Sequence, residues 1–287
     1  MSKSIRILLQ CSIPHAEDDW HIGRFSLLRD ELSKVAEVVA RNREPDGSGD
    51  DLVLSNVTRA KFDELWLLGV DGGTALSPRD CAAVNAFHKE GGGVLTARDH
   101  QDMGMWLRRI DGVGAAHFFH NPEYCEPDPS RLFPDDVETT HISWPNYHSG
   151  RNGDFQRIIA VEPSHPLLQQ PRSTERIGLF PAHPHEGAVG VPSNEPRART
   201  VARGRSRVSG REFDLIVTFE RARGAPGRAI AESSFHHFAD YNWDVSRGAP
   251  SFVTEKTGDG MQREPRALTD IRTYVRNAVQ WLAPESA

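Results

Sequence analysis

Histidine and aspartate recur in this chain just beyond short apolar runs. Asp99 and His100 follow the run 94–97. His15, Asp19, Trp20 and His21 follow the run 5–12, and His236 and His237 follow the run 228–234. Near pH 7 a neutral imidazole can exchange a proton or bind a divalent ion. A carboxylate can orient an imidazole or ligate a hard cation. The chemistry these residue types suit is therefore proton transfer, with His100, His236 and Asp99 as catalytic candidates. His15, Asp19, Trp20, His21, His237 and Trp243 are the candidates for holding a ligand around them. No cofactor is identified by the sequence. A divalent metal is the one that the donor types admit, with His15, His21, His100 and His236 as candidate ligands. There is no H-E-x-x-H, and the stretch H-x-x-D-D-W-H over 15–21 has no recognised ligand spacing. With 13 histidines in the chain, any single one is as readily a solvated loop residue as a site residue. His236 and His237 would face opposite ways if their strand persisted, and His236 is the one assigned to the cleft.

The elements that must position these residues are clearest over residues 62–104. Residues 64–70 are apolar enough to be buried on both faces, as in a parallel sheet. Ser77 can cap a helix, with Pro78 in its first turn and Asp80 near its positive end. Ala82, Ala83, Ala86 and Phe87 fall at helical spacing as its apolar stripe. Gly91, Gly92 and Gly93 stop it, and residues 94–97 read as a second buried strand. Upstream, residues 5–12 read as a first strand, too short in apolar length for a signal core. A helix over 24–34 follows, then a short strand over 37–40. Residues 52–57 read as either a strand or part of a crossover. Strand and helix in alternation imply a doubly wound parallel sheet, whose ligands bind beyond the carboxyl ends of the strands.

Prolines crowd the chain after residue 120, so the second half reads as rich in loops. Residues 111–156 form a long insertion over the active rim, within one domain spanning 1–287. Strands are expected over 157–161, 200–208, 212–220 and 228–234, and a closing helix over 265–282. Its stripe is Ala267, Ile271, Val275, Ala278 and Leu282. Arg203, Arg205 and Arg207 share one strand face. A solvated edge is the plainer reading of that row, and a phosphate or carboxylate site the other.

Three segments resemble a known family. They are Phe62-Asp63 opening a strand that leads through Gly91-Gly92-Gly93 to His100, His165-Pro166-Leu167, and Gly227-Arg228 opening a strand that ends at His236. Their order is similar to the trehalose-utilisation (ThuA-like) branch of the class I glutamine amidotransferase-like superfamily. The resemblance implies an α/β, flavodoxin-like, doubly wound and mainly parallel sheet with helices on both faces. To this it adds a loop-rich, partly antiparallel C-terminal elaboration. It also implies a link to carbohydrate metabolism, and it makes Glu186 an alternative orienter of a histidine, against the plainer reading of a surface turn acid. Glutaminases of this fold carry a cysteine at the elbow after the strand. Here the elbow reads Thr96-Ala97-Arg98-Asp99-His100, with Cys81 in the preceding helix and Cys125 in a loop. Cysteine-dependent glutaminase chemistry is thus not expected.

A net charge of −6 argues against a nucleic-acid partner. No apolar run approaches the roughly 20 residues of a membrane span. Three cysteines without a C-x-x-C pair fit reduced thiols in the cytoplasm. The functional expectation is an enzyme acting on a small polar, carbohydrate-derived substrate by His/Asp acid–base chemistry, with metal assistance an option. The alternative is a non-catalytic small-molecule-binding or regulatory protein on the same fold. A homo-oligomer is compatible with either.

Overall fold

Hydrophobic alternation along the central strands decides the architecture. In the strand Arg6–Cys11 (β1), Ile7, Leu9 and Cys11 point to one core and Leu8 to another. Trp66 and Leu68 of Glu64–Leu68 (β3) join the first core, and Leu65 and Leu67 the second. Gly93–Ala97 (β4) divides likewise, with Leu95 and Ala97 opposed to Val94. Strands apolar on both faces need a layer on each side. One layer is Ser26–Leu32 (α1) and Pro265–Leu282 (α5), and the other is Pro78–Lys89 (α2), with two single-turn helices, Asp240–Trp243 (α3) and Gly260–Arg263 (α4), preceding α5 in the chain.

The computed structural model describes residues 4–284 apart from 134, 136–138 and 140. The remaining strands are Glu37–Asn42 (β2), His117–Phe118 (β5), Phe155–Arg157 (β6), Ile159–Ala160 (β7), Leu179–Pro181 (β8), Ala188–Val189 (β9), Ala198–Arg205 (β10), Glu212–Phe219 (β11) and Ala229–Glu232 (β12). Eight of the strands form one sheet in the order β2-β1-β3-β4-β12-β11-β10-β7. The first five are mutually parallel, and each of the last three pairs antiparallel with the strand before it. The parallel part has the flavodoxin-like order, so the sheet is a flavodoxin-like, mainly parallel α/β sheet with an antiparallel extension. Two small antiparallel pairs, β5-β9 and β6-β8, flank it.

Several expected boundaries move, each for a physical reason. The helix expected over 24–34 begins only at Ser26, after a 3-10 turn over Ile22–Phe25. Its free N–H groups are capped from far along the chain. Asp240 accepts from Ser26 N at 3.0 Å and from Leu27 N at 2.7 Å. In α2 the buried stripe is Cys81, Val84, Phe87 and His88, whereas Ala82 and Ala86 are exposed. Alanine is small enough to stand on either face, so its spacing misdirected the sequence reading. Of the two readings of residues 52–57 the crossover holds, with a single 3-10 turn, Leu54–Asn56, and no strand. The expected strand over 157–161 is split between β6 and β7. The arginine row is paired internally. Arg203 Nε bonds Asp214 at 2.9 Å and Arg205 Nη2 bonds Glu212 at 2.8 Å. Arg207 lies past the end of β10 and donates to Phe155 O. Among the described residues, no helix is long and apolar enough to cross a membrane.

The crossover from β2 to β3 is held by Asp51, which has no exposed surface. Its carboxylate accepts from Leu54 N at 2.7 Å, Glu44 N at 2.8 Å and Arg41 Nη1 at 2.7 Å. Burial by itself would raise this carboxyl. The N–H groups and the guanidinium outweigh burial and hold it below the ordinary range. Asp51→Asn should therefore destabilise the protein by about 3 kcal/mol at neutral pH. A depressed folded pKa contributes stability above the unfolded value of about 3.9, which is lost as pH falls through the lower folded value. Urea denaturation from pH 6 downwards should show a smaller acid-dependent loss in the variant. Parallel curves for the two proteins would contradict this.

Candidate functional site

The carboxyl end of β4 sends two consecutive side chains in opposite directions. Arg98 turns into the protein, fully buried, and donates to the carbonyls of Met103 at 3.0 Å, Gln101 and Phe118. Burial lowers its pKa to about 9, and its guanidinium lies 4.3 Å above the ring of Phe119. It fastens the loop after the strand and so fixes where the next residues point. Asp99 turns the other way, to the floor of a cavity of about 380 Å³ above the sheet's carboxyl edge.

Four imidazoles gather at or beside Asp99. His100 Nδ1 lies 2.8 Å from Asp99 Oδ2, His183 Nε2 lies 3.4 Å from it, and His236 Nε2 lies 3.5 Å from it. The other carboxylate oxygen accepts from Ser234 Oγ at 2.9 Å. The rings of His183 and His236 stack, with centroids 3.6 Å apart and planes 11° from parallel. His185 lies between Asn146 and Glu255, its Nε2 3.0 Å from Glu255 Oε1. Trp20 stands edge-on to His236 at 4.7 Å. Phe252, 57% exposed, lines the cavity with Val253 and Glu255.

The hydrogen-bond network assigns the protons on the two stacked rings. The Ala182 carbonyl can only accept, so the atom of Asn242 that bonds it at 2.9 Å is the amide nitrogen. That nitrogen also donates to Asn152 Oδ1 at 3.1 Å. Asn152 Oδ1 is then an acceptor, and His183 Nδ1, 2.8 Å away, must carry a proton. Asn242 Oδ1 is left to accept from His236 Nδ1 at 3.4 Å. In the neutral rings both Nε2 atoms therefore present lone pairs towards Asp99. His183 Nε2 is buried and makes no hydrogen bond. Burial, reinforced by His236, pushes His183 well below the usual imidazole pKa. Burial by itself would raise the Asp99 carboxyl. His183, His236 and His100 outweigh it and hold Asp99 ionised, well below the ordinary carboxylate range.

The structure separates the residues that the sequence reading grouped. Asp19, Trp20, Asp99, His100 and His236 line the cavity. His15 and His21 pair edge-on at 4.8 Å away from its lining, and His21 Nδ1 caps the turn after it by accepting from Gly23 N. The ligand set His15, His21, His100 and His236 is not assembled. The cluster among the described residues with metal-ligand spacing is Asp99, His183 and His236. Residues 235–237 form a 3-10 turn beyond β12, which directs His236 to the cavity and His237 inward. His237 is fully buried between Glu186 Oε2 at 3.1 Å and Glu232 Oε2 at 3.2 Å. Glu186 is not a surface acid: it is buried and orients His237, which lies outside the cavity. Besides His237 it binds Ser149 Oγ, Gln156 Nε2 and Ser233 Oγ. Trp243 is buried and donates to His237 O at 2.7 Å, outside the cavity. The sequence reading missed His183, His185, Asn152, Asn242 and Glu255. The one sequence signal for the first two is the His-rich stretch 181–187.

That turn comes very close to the strand ends. A methyl group on Gly187 would lie 2.4 Å from Asp99 O and 2.6 Å from Ser233 O. Gly187→Ala should cost about 1–3 kcal/mol by overpacking, read as a lower denaturation midpoint. An unchanged midpoint would show that the turn can move away freely.

All three thiols are held protonated by burial: Cys11 well above the ordinary value, Cys81 at about 11, and Cys125 raised. None lines the cavity, so the site contains no cysteine nucleophile.

The fold and site define a flavodoxin-like α/β protein with an Asp/His cluster in place of an elbow cysteine. The chain matches no protein-family model and no curated protein. Among solved structures it is similar to a ThuA-like protein from Parabacteroides merdae, with 12% identity over 99% of this chain and 93% of that one, at a TM-score of 0.47. It is also similar to the glutaminase domain of Trypanosoma brucei CTPS, solved with bound acivicin. There the identity is 14% over 96% of this chain and 94% of that one, at a TM-score of 0.45.

Proposed function

We propose that the protein is an enzyme that moves protons on a small polar, carbohydrate-derived substrate without using a cysteine nucleophile. The observation that carries this reading is the Asp99–His100 pair. Its 2.8 Å bond holds Nδ1 of a ring whose side chain is 20% exposed at the cavity. Because Asp99 fixes Nδ1, Nε2 is the proton-exchanging atom. The cavity of about 380 Å³ is at the small end of the roughly 300–1,000 Å³ range of ligand sites, which suits a monosaccharide-sized molecule. Trp20 and Phe252 offer apolar walls of the kind against which sugar rings pack, in keeping with the resemblance to the trehalose-utilisation family.

The test is a thermal-shift screen of sugars, keto-sugars and sugar acids, followed by NMR of each hit incubated with the protein. A hit that raises the melting temperature and is chemically altered supports the enzyme reading. Hits that bind in the cleft and are recovered unchanged would replace it with a non-catalytic ligand-binding role.

A further inference from the structure

The Asp99–His183–His236 cluster poses an electrostatic problem. The Nδ1 atoms of His183 and His236 bond Asn152 and Asn242, and both Nε2 atoms are directed at Asp99. Three atoms able to ligate an ion thus converge within 4.8 Å of one another. Lone pairs facing each other in a buried site are costly unless something positive sits among them. His183 is 3% exposed, and its Nε2 has no hydrogen-bond partner.

We propose that this cluster is a mononuclear site for a divalent transition ion of the zinc class, bound by His183 Nε2, His236 Nε2 and Asp99 Oδ2. The spacing of Asp99 from the two nitrogens fits such an ion, and binding would tilt the stacked rings, now 11° from parallel, until both Nε2 lone pairs converge on it. Bonds of about 2.0–2.2 Å in a tetrahedron place ligand atoms about 3.4 Å apart, and Asp99 Oδ2 lies 3.4 and 3.5 Å from the two nitrogens. Two imidazoles and one carboxylate suit zinc, cobalt or iron better than magnesium or calcium, which prefer all-oxygen shells. The outer contacts are those of a built site. Each imidazole donates its other N–H to an asparagine, and the second Asp99 oxygen accepts from Ser234. Three protein ligands leave the fourth position to water or substrate. All three residues line the cavity. The proposal deepens the enzyme reading of this cleft, since a bound ion would supply a Lewis acid beside His100. It stands on ligand geometry, however, and its test reads metal rather than turnover.

The experiment is to strip the purified protein with a chelator and titrate Zn²⁺ by calorimetry and Co²⁺ by visible absorption. The expected result is about one ion per chain, with the intense d–d bands of a four-coordinate Co²⁺ site. Affinity should fall roughly 100-fold or more in His183→Ala and in His236→Ala. Should either variant fail to fold, ¹⁵N NMR of histidine-labelled wild-type protein decides instead. Zinc should shift Nε2 of two histidines while their Nδ1–H signals persist. Absence of stoichiometric uptake overturns the proposal, with a proton rather than a metal then bridging the acceptors. It is equally overturned if uptake survives both substitutions, or if the shifted histidines are others such as His15 and His21. Metal uptake without turnover of any ligand would sink the enzyme reading and leave the metal site standing.

Discussion

His100→Asn is expected to lower turnover of the cleft's substrate by about 10²–10⁴-fold, the range for loss of a positioned general acid or base. The effect should fall on kcat, with KM little changed, because the lost contact matters only while a proton moves. Stability should change by no more than about 1 kcal/mol, since the side chain contributes one hydrogen bond at a partly open surface. The geometry explains both halves. Asp99 accepts from His100 Nδ1 at 2.8 Å and is itself anchored by Ser234, so the ring is held by a group that the substitution leaves in place. Steady-state kinetics with the ligand found by screening, alongside a melting curve, is the measurement. Retention of wild-type kcat would remove His100 from the chemistry.

The largest expected loss of stability comes from the next layer down. His237→Leu should destabilise the protein by roughly 3–5 kcal/mol, or about 10 °C in melting temperature for a domain of this size. Burial by itself would lower the pKa of His237. Glu186 and Glu232 outweigh it and raise it to about 10, so the ring is an imidazolium between two carboxylates. Glu232 is raised by burial and is tied to His237 and to the hydroxyl of Tyr274 on α5. Without His237 two fully buried carboxylates would face each other across an apolar gap, and at least one would have to take up a proton. Urea denaturation at pH 7 measures the loss, and a change below about 1 kcal/mol would show that the cluster contributes little. The cluster also serves the site above it. Glu186 bonds Ser149 Oγ, which in turn accepts from His183 N, and Glu186 bonds Ser233 at the end of β12. The turn carrying His183 and the strand end leading to His236 are thereby pinned to one buried group.

Much of the frame was legible because its signals are local. The runs that become β1, β3 and β4, the Ser77 cap of α2 and the stripe of α5 stand in the sequence where the structure has them. Boundaries slipped where a distant residue intervened. The start of α1 depends on the Asp240 carboxylate, and no pattern within residues 22–34 announces it. The buried face of α2 was misread because alanine spacing carries little information beside Cys81, Val84, Phe87 and His88.

The order of residues determined by itself that a parallel sheet forms, that Asp99 and His100 leave it together at a strand's carboxyl end, and that no cysteine stands at that elbow. Hydrophobic periodicity and turn chemistry act over a few residues, so a reader of the chain can follow them. Only the tertiary structure decided which imidazoles meet Asp99. His183 arrives on a turn anchored by Gly187 and Glu186, His236 is turned outward and His237 inward by a single 3-10 turn, and His15 and His21 stay to one side. That choice depends on loop paths and on which buried charges find partners. Both are settled when distant segments pack, because a partner's worth in a low-dielectric interior depends on everything else around it.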